Sequence, residues 1–114
     1  MIDFAMRVIQ QSLDGLAARQ RITAENIANI DTPNYRAGRV SFEDNLRTAI
    51  DKGDSPQVGI STSRSTEATR LNGNNVNVDD ENMSLIETGL RFQLAIDSMN
   101  TKFRILRTSM RRDS

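Results

Sequence analysis

A chain of 114 residues fits one domain and buries a smaller share of its surface than larger domains do, so its private core is modest. Its 15 basic and 15 acidic residues balance, which argues against a globally basic nucleic-acid binder and against an acidic tail protein. The lack of cysteine and histidine excludes disulfides, thiol nucleophiles, the usual zinc cages and the commonest general base near neutral pH.

The longest apolar runs are about three residues, as in Phe4-Ala5-Met6 and Leu94-Ala95-Ile96, far below the roughly 20 that a membrane span needs. Met1, Ile2 and Asp3 open the chain without the basic and apolar regions of a secretory signal. From Ile2 the apolar positions recur at alternating steps of four and three, through Met6, Ile9, Leu13 and Leu16 to Ile27 and Ile30. This spacing predicts a long helix over residues 1–31 with a heptad seam, widened by Val8, Ala17, Ala24 and Ala28. At about 1.5 Å per residue it is roughly 40 Å long, more than a compact domain of this size needs, so it seeks a partner along its length. Gln20 and Thr23 interrupt the seam, and either they fix register between helices or they face solvent.

The helix stops in NIANIDTPNYRA, residues 26–37. Pro33 biases Thr32 away from helical geometry, while Asp31 and Thr32 can bond nearby backbone. Asn34 suits a left-handed position, and the ring of Tyr35 can clamp the turn against the helix end. Taken part by part, this is an ordinary helix stop.

Residues 32–78 read as an irregular middle. Ser41 with Asp44 resembles a capping box for a short helix over 42–52, with Phe42, Leu46 and Ile50 as its stripe and Gly53 as its close. Residues 54–69, rich in serine and threonine, predict a mobile loop. Asn72-Gly73-Asn74 marks a turn, and Val76 and Val78 suggest one short extended piece.

Residues 79–114 return to the four-three rhythm in Leu85, Gly89, Phe92, Ile96, Met99, Phe103, Leu106 and Met110, broadened by Ile86, Leu90 and Leu94. Asp79 is the expected N-cap, with Asp80 and Glu81 in the first turn. Lys102, Arg104, Arg107, Arg111 and Arg112 crowd the other end, so the charges complement the helix dipole at both ends. No aromatic residues interleave these arginines for base stacking. The acidic trio lacks the spacing of a calcium loop, which leaves capping as its role. Of the two helical glycines, Gly89 on the seam is the expected site of close helix approach, and Gly15 reads as tolerated flexibility.

The expected fold is all-α: long N- and C-terminal helices packed as an antiparallel, coiled-coil-like pair, with an irregular middle holding the short helix and the extended piece. Two helices leave half of each broad stripe exposed, so neighbouring subunits must cover the rest. No constellation of catalytic residues can be named, and neither a cofactor nor a metal is expected.

The order Asn26-Ile27-Ala28-Asn29, Thr32-Pro33, Tyr35 resembles the signature of the bacterial flagellar axial proteins, the rod, hook and hook-associated family. Their N-terminal helix ends in a string like N-I-A-N-A-x-T-P-G-Y, from which this chain departs at Ile30 and Asn34. Ala37 with Phe42 and Glu43 resembles the start of the family's next segment. Residues 72–79 resemble the N-G-N-x-V-x-x-D stretch that precedes the C-terminal helix in proximal-rod members. The likeness covers both helices and the segments bordering the middle, and residues 54–70 lie outside it. It implies a non-enzymatic structural subunit of the proximal rod of the flagellar basal body, linking the membrane ring to the distal rod. It further implies a periplasmic rod location reached through the flagellar type III channel, without a cleaved signal. The implied partners are copies of itself, other rod proteins, the membrane-ring or rod-adapter protein and the export apparatus, with no nucleic acid and no small-molecule substrate. In this reading Asn26, Ile27, Ala28, Asn29, Thr32, Pro33 and Tyr35 form the turn. Ile9, Leu13, Leu16 and Ile27, with Leu85, Gly89, Phe92, Ile96, Met99, Phe103 and Leu106, form the assembly seams. The alternative is a free-standing coiled-coil adaptor forming a small closed oligomer.

Overall fold

Helix α1 (Phe4–Ala28) begins where the carboxylate of Asp3 accepts a hydrogen bond from the Met6 N–H at 2.8 Å. That bond, helped by Lys102 at 3.2 Å, holds the Asp3 carboxyl below its ordinary value. The contribution of this cap is therefore present above the usual carboxylate range and fades as the pH falls through the lowered value. A computed structural model describes residues 3–53 and 59–112, in the order α1, β1 (Gly38–Ser41), α2 (Glu43–Lys52), β2 (Ser61–Arg64) and α3 (Val78–Arg112). Ile2 at the head of the first seam, residues 54–58 of the expected loop and the side chain of Arg112 lie outside the described residues.

The long helices form the expected antiparallel pair. Asp3 lies opposite Lys102, Thr23 opposite Ser84 at 3.4 Å and Asn26 opposite Glu81 at 3.1 Å. The molecule is correspondingly elongated, 67 × 26 × 14 Å. The two polar residues that interrupt the first seam separate here: Thr23 is buried against α3 and fixes register, whereas Gln20 faces solvent.

The middle differs from expectation in three places. The extended structure is not at Val76 and Val78 but in β1 and β2, which pair antiparallel with Gly38 opposite Arg64 and Ser41 opposite Ser61. Val78 begins α3, and Val76 is buried beside it. Part of the presumed loop is thus a strand, held by the ladder to β1 and by the Ser65 N–H donating to the Ala37 carbonyl at 2.8 Å. Ser41 belongs to that ladder, so α2 starts from Phe42, with no side-chain cap, and ends as expected on Gly53 in the left-handed region at φ 66°. At α3 the cap is Asn77 rather than Asp79: its side-chain oxygen accepts from the N–H groups of Asp79 and Asp80 at 3.0 and 3.2 Å.

The apolar core is small. Leu16 and Ala18 of α1 meet Val40 of β1 and Phe42, with Ile22, Leu46 and Phe92 packed around them. Arg19 ties this core to its rim, donating to the Val40 carbonyl at 2.7 Å and to Glu43 at 2.6 Å, with its guanidinium 5.0 Å from the Phe42 ring centre. The close approach falls at Gly15, not at Gly89. A Cβ on Gly15 would sit 2.5 Å from the Phe42 ring, and one on Gly89 would meet nothing within 4 Å.

Gly15→Ala should therefore lower stability by about 1–2 kcal/mol, overpacking outweighing the gain in helix propensity. Gly89→Ala should raise it by about 1 kcal/mol from propensity alone. Urea midpoints of the two variants moving in the same direction would contradict this placement of the close contact.

Candidate functional site

The residues of the stop signal and those of the asparagine-rich turn, some forty positions apart in the chain, fold onto one another as a single polar unit. α1 ends at Ala28, and the N–H of Asn29 donates to the Glu25 and Asn26 carbonyls. The Thr32 hydroxyl donates to the Asn29 side chain at 3.0 Å, and the chain reverses through Asn34, the one described non-glycine residue with positive φ, at 63°. The Asn34 N–H then donates to the Asn72 carbonyl at 2.9 Å. Gly73, at φ 82°, lies so close to Asn34 that any Cβ there would collide with its side chain and backbone.

Three buried asparagines hold the unit together. Asn74 is fully buried; its amide donates to the carbonyls of Asn29 and Thr32 at 2.9 and 2.8 Å, and its oxygen accepts from the Val76 N–H and from Arg70. Arg70 also donates to the carbonyls of Ile30 and Val76, each at 2.6 Å. Asn75 accepts from the Ala37 N–H at 2.7 Å and donates to the Ser65 and Glu67 carbonyls. Asn26, also fully buried, bonds both the N–H and the carbonyl of Gly38, donates to Glu81 and accepts a long hydrogen bond from the Tyr35 hydroxyl. An asparagine suits such positions because one side chain supplies both a donor and an acceptor to backbone that would otherwise be stranded.

Glu81 completes the junction. It is 2% exposed, and its carboxylate receives Arg39 at 2.8 Å and Asn26 at 3.1 Å, so the buried charge is paired and hydrogen-bonded. Tyr35 clamps the turn as expected, with the Arg64 guanidinium 5.3 Å from its ring centre. Of the other motif residues Ile27 is half-buried, and Ala28, Thr32 and Pro33 are exposed. Reasoning from sequence missed Glu81, Arg39, Arg70 and Asn75 as members of this unit. The usable signal was the density of asparagines over residues 72–77. Among the described residues no buried side-chain nitrogen or oxygen lacks a partner, and no acidic cluster could hold a metal ion.

The expected seam residues divide. Leu16 is buried, and Ile9, Leu13, Ile27, Leu85, Gly89, Phe92, Ile96, Met99 and Leu106 are half-buried, mostly where the two helices face each other within the chain. Phe103 lies beyond the Asp3–Lys102 contact and is exposed. A groove of about 330 Å³ between α1, α2 and α3 is lined by Ile9, Leu16, Phe42, Leu46 and Leu94. Its rim charges are already committed, Glu43 to Arg19 and Arg91 to Glu87. The chemistry on offer is apolar contact and structural hydrogen bonding.

Replacing Asn74 tests the polar unit. Asn74→Ala takes the second donor from the carbonyls of Asn29 and Thr32, which keep the Thr32 and Tyr35 N–H groups, and leaves the buried Val76 N–H without its acceptor, so it should destabilise the chain by about 2 kcal/mol. Asn74→Asp, almost the same in shape, should be at least as damaging near neutral pH, because an ionised carboxylate offers those carbonyls only lone pairs. An Asp variant whose urea midpoint matches that of the parent would refute this account.

Comparison with known proteins bears on the same residues. The family described as "Flagella basal body rod protein" matches residues 6–36, which are α1 and the turn. The chain is similar to the flagellar basal body rod protein FlgB of Bacillus subtilis (strain 168), 34% identical over 113 residues, with 88% of each chain covered. It is similar also to FlgB of Borreliella burgdorferi, at 31% identity with 82% of each covered, and of Escherichia coli (strain K12), at 28% with 87% of each covered. At 34% identity over 88% of its length, the chain belongs to the FlgB family of flagellar basal body rod proteins.

Proposed function

We propose that this chain is a structural subunit of the proximal rod of the flagellar basal body, polymerising through its terminal helices to link the membrane ring to the distal rod. The observation that carries the reading is the match of nearly the whole chain to relatives named as basal body rod proteins. The physics of α3 agrees. One side of the helix packs on α1, while Ile86 and Leu90 on the other side are 61 and 69% exposed and Leu94, at the edge of the groove, is 67% exposed, a distribution suited to a helix enclosed on both sides by an assembly.

The partners in this reading are further copies of the chain, other rod proteins and the membrane-ring or rod-adapter protein, reached after passage through the flagellar export apparatus. The location is the periplasmic rod, and export proceeds without a cleaved signal. The role is non-enzymatic. Family membership leaves the closed coiled-coil adaptor without support.

Electron microscopy of basal bodies from a strain lacking the gene, beside a complemented strain, tests the reading. Rings without a rod, restored by complementation, are the expected result, and normal rods in the deletion strain would overturn it. Gly89→Leu refines the test. A Cβ at this position meets nothing within 4 Å, so the variant should fold yet fail to build rods; motile cells with normal rods would remove Gly89 from the assembly surface.

A further inference from the structure

Two faces of this molecule are exposed, differ in character and carry complementary charges. On α3, Met83, Ile86, Leu90 and Leu94 form a row on the side turned away from Thr88, Phe92 and Ala95, and each is more than 60% exposed. On α1, Ala17, Ala24 and Ala28 are exposed along one flank, small residues over which large side chains of another helix can settle. We propose that the Met83-to-Leu94 row of one copy packs on the alanine face of α1 in a second copy, antiparallel and in the same register as the pair inside the chain. The proposal rests on the rod-subunit reading and specifies which faces meet.

Register and charge carry the argument. Inside the chain Thr23 lies opposite Ser84 and Asn26 opposite Glu81. The same register between copies sets Ala17 against Leu90 and Ala24 against Met83, small against large. It also sets Arg21 beside Glu87 and Asp14 beside Arg91. Because the helices run antiparallel, both charged flanks fall on the same side of the contact. Glu87 and Arg91 already hold each other at 2.7 Å, so docking would extend them into an alternating row of Asp14, Arg91, Glu87 and Arg21. Slipping one helix by a heptad in either direction removes this match: one slip brings Arg21 to Arg91, and the other brings Asp14 to Glu87. Like charges thus disfavour both neighbouring registers. Each copy presents one face of each kind, the row on α3 and the alanines on α1. The contact is therefore heterologous and repeats around a wall of copies at nearly equal height.

The chain has no cysteine, so single cysteines report contacts cleanly. Ala17→Cys and Leu90→Cys chains carrying different tags would be co-expressed in the deletion strain, and the basal bodies exposed to a mild oxidant. The expected result is conversion of monomer into a disulfide-linked dimer containing both tags, with none from either variant alone or from Ala17→Cys paired with Ile105→Cys. Dimer formed by Leu90→Cys alone would mean that like faces meet and would overturn the proposal, as would the absence of any dimer in basal bodies that contain rods. Charge reversal tests the register even where a cysteine variant folds poorly. Glu87→Arg should abolish swimming, and adding Arg21→Glu in the same chain should restore it; a double variant no better than the single would overturn the pairing. Failure of the rod reading itself appears separately, as intact rods in the deletion strain.

Discussion

Buried asparagine side chains bonding to backbone are the interactions on which the rest of this structure depends. The apolar core is a handful of residues around Leu16 and Phe42, too little to immobilise the segment between the long helices by burial alone. Asn26, Asn74 and Asn75 supply what that core lacks. A hydrogen bond of this kind contributes only about 1 kcal/mol net, but leaving its buried partner unmet costs about 1–3 kcal/mol. The unit therefore acts less by adding stability than by making other arrangements of the turn unfavourable. That is why its members form one connected set: Asn26 fixes Gly38, Gly38 opens β1, and β1 carries Val40 and Phe42 onto α1.

The same unit determines where α3 starts. Asn77 caps it, and one turn later Glu81 comes to rest between Asn26 and Arg39, at the end of α1. A paired, buried charge is a costly way to gain stability and an effective way to specify geometry, because displacing either helix would strand the carboxylate. Thr23 against Ser84 and Asp3 against Lys102 continue the alignment down the pair. Register is thus set by polar contacts along the whole length, and the apolar stripes fill the space between them.

How much of this was legible in the sequence follows from the reach of each signal. Heptad spacing is local and repeats, so both long helices and their antiparallel pairing could be read, as could the short helix closed by Gly53. β2 could not be read: Ser-Thr-Ser-Arg has no apolar residue to alternate, and its strand character comes from a ladder with the distant segment Gly38–Ser41. The caps moved because tertiary position decided them. Ser41 was taken by the sheet, and Asn77 reached the first amides of α3 ahead of Asp79. The glycines were misjudged for a related reason. Seam position marks the side of a helix that faces another helix, but the crowding at Gly15 comes from Phe42, outside the helix pair. Both halves of the polar unit were noticed through their family likeness, yet contact between them left no trace in any periodicity, since side chain to backbone bonds between distant segments have none.

Holding the middle of the chain with amides has a consequence for the outside. A domain of this length possesses few large apolar residues, and each one used to secure the turn, the sheet and the start of α3 would be withdrawn from the helix surfaces. Asparagines and paired charges do that work here, with Arg70 and Arg39 in place of leucines. The apolar residues of α3 are left free to occupy two sides of one helix, Phe92 toward the core and Leu90 toward solvent. A helix apolar on both sides is poorly suited to an isolated molecule and well suited to a wall of repeating subunits. The polar turn and the exposed stripe are in this sense one arrangement: the first makes a thin core sufficient for a defined shape, and the second is what that thin core leaves available.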